Sequence, residues 1–154
     1  MKLIAHRGLV SGPNKHIENQ PATIKSALSN GFDCEIDLWV FDRRLYLGHD
    51  GPQYNITVDF LKQTGLWIHC KNLDALEYCS EDSTLNYFWH EEDTYTLTSQ
   101  GFIWAYPDKI LNKQSIMVLP EWKDPDFKNI GRPCFGICSD YVEKIKSIIS
   151  NAQT

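Results

Sequence analysis

Three features of the sequence predict an α/β fold built on a parallel sheet or barrel. Short apolar strands alternate with amphipathic helices through the first half and again at the end. His6, Asp37 and Lys71 each stand at the C-terminal end of one of these strands, where barrel proteins keep their reactive groups. The middle connectors, 91–101 and 107–114, hold only about ten residues each, near the lower limit of a helical crossover, so helices there give way to loops.

Residues 2–5 read as the first strand, ending at His6-Arg7-Gly8. After a polar loop over 10–17, Pro21 opens a helix of about ten residues with Ile24, Ala27 and Leu28 on one face and Gly31 as its stop. Residues 33–40 form the second strand, and 44–48 return from it after a turn. A brief helix over 58–63 is closed by Gly65. The third strand, 66–71, places Trp67, His69 and Lys71 on one face and Leu66, Ile68 and Cys70 on the other, and 72–80 is helical. Further strands are predicted over 86–90, 102–106, 115–119 and 135–138. The last helix, 141–150, carries the apolar stripe Val142, Ile145, Ile148 and Ile149.

With 154 residues and 42% hydrophobic content, the chain is expected to form one domain, 1–154, with a real core. A net charge of -5 and the lack of any basic run argue against nucleic acid or an anionic membrane as a partner. No stretch approaches the 18 or so apolar residues of a membrane span, and the apolar start is too short for a signal-peptide core; a cytoplasmic protein is expected. The five cysteines, Cys34, Cys70, Cys79, Cys134 and Cys138, read as reduced core residues without a zinc pattern. Oligomeric state is left open.

The chemistry gathers around the second strand. Glu35 and Asp37 are two apart, so both carboxylates leave one face while Cys34, Ile36 and Leu38 leave the other. Two acids in one small space call for a divalent cation or a shared proton. The returning strand brings back His49-Asp50, and His6-Arg7 ends the first strand, giving two histidines, two carboxylates and an arginine.

In order, His6-Arg7-Gly8, Glu18-Asn19, Glu35-Ile36-Asp37 and His49-Asp50 resemble the H-R-G, E-N, E-x-D and H-D motifs of the glycerophosphodiester phosphodiesterase family. The likeness is good over residues 3–50; beyond them only 66–71 and Gly136 to Asp140, similar to the family's G-I-x-[ST]-D, look familiar. The resemblance implies a trimmed TIM-type (β/α) barrel, since such barrels usually take about 250 residues. It also implies metal-dependent hydrolysis of a small soluble phosphodiester. Glu35 and Asp37 would hold the metal, His6 and His49 would divide acid and base duty, and Arg7 and Lys71 would bind the phosphate.

One departure stands out: where the family has E-x-K, this chain has His69-Cys70-Lys71. The resemblance implies Mg²⁺ or Ca²⁺; His69 as third ligand would suit Mn²⁺ or Zn²⁺ better. Alternatively Glu91, Glu92 or Glu121 supplies the missing oxygen. Glu18 is either a solvated loop charge or a partner of Arg7 or the metal site. Asn19 is either a helix cap or a donor behind the site, and Asp50 either caps a turn or orients a histidine. Two further readings are a phospholyase that stops at the cyclic phosphate and a non-catalytic module that binds phosphate esters.

Overall fold

A computed structural model describes residues 1–152. In chain order the elements are β1 (Lys2–Ala5), α1 (Pro21–Ser29), β2 (Asp33–Phe41), β3 (Arg44–Leu47), β4 (Tyr54–Ile56), the one-turn α2 (Val58–Leu61), β5 (Leu66–Cys70) and α3 (Leu73–Ser80). They continue with β6 (Tyr87–Phe88), β7 (Tyr95–Leu97), β8 (Ile103–Ala105), β9 (Ser115–Val118), β10 (Gly136–Ser139) and α4 (Val142–Asn151).

All ten strands belong to one curled sheet, running β4-β3-β2-β1-β10-β9-β8-β7, with β5 and β6 branching from β2. β6, β5, β2, β1, β10, β9 and β8 pair parallel to their neighbours, whereas β3, β4 and β7 add antiparallel pairs.

This topology corrects the expected trimmed TIM-type barrel. Strand and helix do not alternate: residues 106–114 pass from β8 to β9 without a helix, and the route from β6 to β8 is taken by antiparallel β7. Pro107 and the left-handed Asp108 (φ 65°) halt any helix after β8. Nor does a ladder close the sheet. Ser99 and Tyr87 exchange one backbone and one side-chain bond, and Thr96 Oγ1 donates to the Trp89 carbonyl, and no strand pairing joins β7 to β6.

β2 positions the site. β5 pairs along one of its edges from Cys34 to Leu38, while β1 and β3 share the other, β1 opposite Asp33 and Cys34 and β3 from Leu38 to Phe41. Between them Gly48 N–H donates to the Asp37 carbonyl at 3.2 Å. The turn after β1, which carries His6 and Arg7, and the segment after β3, which carries His49, therefore enter the same gap beside Glu35 and Asp37. Gly48 itself is at φ 152°, and a Cβ there would run into the Gly51 carbonyl, so the residue before His49 must be glycine.

The two faces of β2 behave as its period of two requires. Cys34, Ile36 and Leu38 pack with Ile24 and Ala27 of α1 and Ala75 and Cys79 of α3. On the other face Ile4, Trp67, Phe88, Trp104, Ile116, Val118 and Cys138 form a separate apolar cluster. Register puts Glu35 beside Trp67 and Asp37 beside His69, so the polar cluster stands one step beyond these aromatics, toward the C-terminal ends of the parallel strands. Among the described residues no helix is long and apolar enough to cross a membrane.

Candidate metal centre

Glu35 and Asp37 are buried, with 2% and 0% of their surface exposed, so neither charge can rely on water. Each is instead held by one oxygen. Glu35 Oε2 accepts the Arg7 backbone N–H at 3.1 Å. Asp37 Oδ2 accepts Asn19 Nδ2–H at 2.8 Å and lies 3.2 Å from Arg7 Nε, an ion pair lacking the alignment of a hydrogen bond. Arg7 reaches both because it is left-handed (φ 53°, ψ 26°), and its Nη1 donates to Glu18 Oε2 at 3.1 Å. Gly8 follows at φ 79°, backed by Ile24.

The other oxygens converge on His69. Its Nδ1 is 3.1 Å from Asp37 Oδ1 and 3.7 Å from Glu35 Oε1, and Lys71 Nζ is 3.6 Å from Asp37 Oδ1. The imidazole is pinned from behind: Nε2 meets the His90 carbonyl at 2.8 Å, so it carries a proton, and the ring stacks on Phe88 at 5.2 Å and 6°. Nδ1 therefore faces the carboxylates.

Burial alone would raise the Asp37 pKa, but His69, Arg7 and Lys71 hold it well below the usual carboxylate range. For His69, burial disfavours the charged form, yet the contacts with Asp37 and Glu35 prevail and push the imidazole up to about 9. The charged imidazole thus faces both acids, 3.1 Å from Asp37 Oδ1 without the alignment of a hydrogen bond.

Glu35, Asp37 and His69 each offer one ligand atom, all within 4.8 Å of one another. Asp37 Oδ1 is buried without a hydrogen bond, and that orphaned oxygen, beside an imidazole nitrogen and a second carboxylate, fits a metal donor set. Among the described residues no other group of histidines, cysteines and acids comes together in this way. The half-buried His90 ring pairs with Asp93 at 3.2 Å and lies against His69 and Tyr106.

His6 is half-buried at the edge of the cluster. Its Nδ1 is 2.7 Å from Asp140 Oδ1, and its Nε2 is 4.0 Å from Glu35 Oε2. Burial lowers its pKa, but the Asp140 bond and the Glu35 charge outweigh this and leave it raised. His49 repeats the pattern nearer solvent, with Nδ1 2.7 Å from Asp50 Oδ1 and a side chain 37% exposed. It makes no hydrogen bond or ion pair with the cluster; the residue before it is tied there by the Gly48 N–H, which donates to the Asp37 carbonyl.

Several open alternatives resolve here. Glu18 is a partner of Arg7. Asn19 is no helix cap: Gln20 occupies that position, and Asn19 is fully buried against Asp37. Asp50 meets the His49 ring. Glu121 is not part of the cluster. It accepts Ser139 Oγ–H and the Asp140 N–H, each at 2.9 Å, and burial pushes its pKa up. Glu91 and Glu92 are exposed.

Asp140 is the site residue that motif reasoning passed over. Its place in Gly136-Ile137-Cys138-Ser139-Asp140, at the end of a strand parallel to β1, was the available signal, since Ala5 pairs with Ser139 and the next residues, His6 and Asp140, then meet. All five cysteines are free thiols, and only Cys134 is not buried.

Compared with models of known protein families and with curated proteins, the chain matches none.

Proposed function

We propose that this protein is a metal-dependent phosphodiesterase acting on a small phosphodiester of the glycerophosphodiester type. The observation that carries the reading is the meeting of Glu35, Asp37 and His69 around an orphaned carboxylate oxygen, with His6 at its edge. A divalent cation bound there would neutralise charge on the phosphoryl oxygens and polarise phosphorus. Because one donor is imidazole, the preference moves from Mg²⁺ or Ca²⁺ toward Mn²⁺ or Zn²⁺.

The chain's own residues supply the rest. His6 and His49 each anchor Nδ1 on a carboxylate oxygen at 2.7 Å, which leaves Nε2 open in both rings. One takes the proton of the attacking hydroxyl while the other returns a proton to the leaving alkoxide, a division of duty that imidazole supports near neutrality. Arg7 and Lys71, both paired with Asp37, would place their positive charge beside a bound phosphate.

The second reading, a phosphate-ester binding module without catalysis, is favoured by one fact. With His69 protonated, three cations, Arg7, Lys71 and His69, face three acids, Glu18, Glu35 and Asp37, so the cluster is balanced without any metal.

Calorimetric titration with Mg²⁺, Ca²⁺, Mn²⁺ and Zn²⁺, paired with turnover of glycerophosphodiesters, separates the two. Hydrolysis reading: Glu35→Gln and Asp37→Asn each lower metal affinity by about 100-fold or more and remove turnover, as loss of a first ligand exceeds the roughly 10–100-fold effect of losing an outer partner. Unchanged metal affinity in both variants defeats the metal centre. Absence of metal binding, with phosphate esters bound and no diester turned over, leaves the binding module as the better account.

A further inference from the structure

Resting on the metal-centre reading above, we propose that Asn19 is a positioning residue that makes Asp37 a one-oxygen donor and so sets the site against Ca²⁺.

Asn19 is fully buried. Its Nδ2–H donates to Asp37 Oδ2 at 2.8 Å, and its Oδ1 accepts the Asp37 backbone N–H at 3.0 Å. These two bonds need opposite ends of the amide, so they fix its orientation and grip Asp37 by side chain and main chain together. The grip is itself anchored, because the Asn19 backbone N–H donates to the Arg7 carbonyl at 2.9 Å. Asn19 sits at φ 59°, a conformation that asparagine tolerates better than most residues.

The consequence falls on Asp37. With Oδ2 held by Asn19 and approached by Arg7, only Oδ1 is free to face His69. Bidentate use of Asp37 would pull Oδ2 from the Asn19 amide and strand a buried donor, at a cost of about 1–3 kcal/mol. Glu35 is under a similar constraint, since its Oε2 holds the Arg7 N–H and its Oε1 faces His69. The protein thus offers three single-atom donors, one of them nitrogen. Ca²⁺ takes 6–8 oxygens and makes regular use of bidentate carboxylates, whereas Mn²⁺ is served by imidazole and single carboxylate oxygens.

Titration of the full chain with Mn²⁺ and with Ca²⁺, on wild type, Asn19→Gly and Asn19→Asp, tests this. Glycine keeps the left-handed backbone and removes both side-chain bonds. Aspartate keeps the acceptor for the Asp37 N–H, removes the donor to Oδ2 and adds an oxygen of the kind Ca²⁺ prefers. In Asn19→Gly, Mn²⁺ affinity should fall about tenfold or more, the usual effect of losing an outer partner, while Ca²⁺ affinity holds or improves. In Asn19→Asp, Ca²⁺ should gain relative to Mn²⁺.

An Mn²⁺-to-Ca²⁺ affinity ratio that stays at the wild-type value in the folded variants overturns the proposal, because a merely structural role weakens both ions alike. Circular dichroism identifies the folded variants, and if glycine unfolds the chain the aspartate variant decides. Wild type binding neither ion defeats the metal centre itself; wild type binding Mn²⁺ with an unmoved ratio defeats only the role given to Asn19.

Discussion

The half of the sheet built on β1, β2 and β5 and the half built on β7, β8 and β9 solve the same packing problem differently. In the first, β2 runs for nine residues, and α1 and α3 seal its outer face. In the second, β7 and β8 have three residues each, and among the described residues only a 3-10 turn, and no α-helix, lies between β6 and β10. There Leu97 and Ile110 stay 67% and 86% exposed, beside a groove of about 510 Å³ lined by Tyr95, Leu97, Ile103 and Ile110.

What both halves share is the inner face, where Trp67, Phe88, Trp104 and Ile116 pack together regardless of what covers the outside. The clustered donors, His6 and Arg7 all come from the helix-covered half, and from outside it Asp140 of the segment after β10 holds His6 and the His90 carbonyl holds His69. The lesson is that helical cover is retained where strands must hold buried charge in register and is dispensable where they supply only aromatic filling.

Removing cover from the first half should have the largest effect. Ile24 of α1 is fully buried and lies against Gly8, so it also backs the turn that carries His6 and Arg7. Ile24→Ala should cost about 2–5 kcal/mol in a denaturant titration. A loss under about 1 kcal/mol would mean that the helix layer does not support the turn.

The buried charges come next, through pH. His69 has a folded pKa of about 9, above the ~6.5 of an unfolded histidine. Its contribution to the metal-free protein is therefore complete below about pH 6.5 and lost as pH rises through about 9, a change on the order of 3 kcal/mol. Asp37 has the opposite sign: its pKa is depressed, so its contribution is present above about pH 4 and is lost as pH falls toward the folded value. Denaturant melts between pH 6 and 10 should show the alkaline fall in wild type and not in His69→Gln. An identical fall in both would remove His69 from the account.

The smallest effect is expected at the uncovered edge. Leu97→Ser and Ile110→Ser should each change stability by less than about 0.5 kcal/mol, since surface substitutions without buried contacts usually do. A loss of 2 kcal/mol or more at either would show that the groove is filled in solution and that the contrast between the halves is overstated.

Much was legible in local pattern. Alternation alone put Glu35 with Asp37 and, on the next strand, His69 with Lys71, and the structure brings all four together because β2 and β5 pair in register with Asp37 opposite His69. Strand and helix positions followed from apolar spacing for nearly every element, the exceptions being β4 and β7, three-residue strands whose ladders depend on partners and not on their own composition.

By itself, then, the sequence determined which side chains are available and which of them share a strand face, because those depend on the period of the backbone over a few residues. Tertiary structure alone decided that the sheet curls without closing, that Asp140 hydrogen-bonds His6 across 134 positions, and that Asn19 clamps Asp37 where it had the same residue type as a helix cap. Such pairings are set by which distant strands lie side by side and by the cost of leaving a buried polar group unpaired. No window of neighbouring residues contains either quantity.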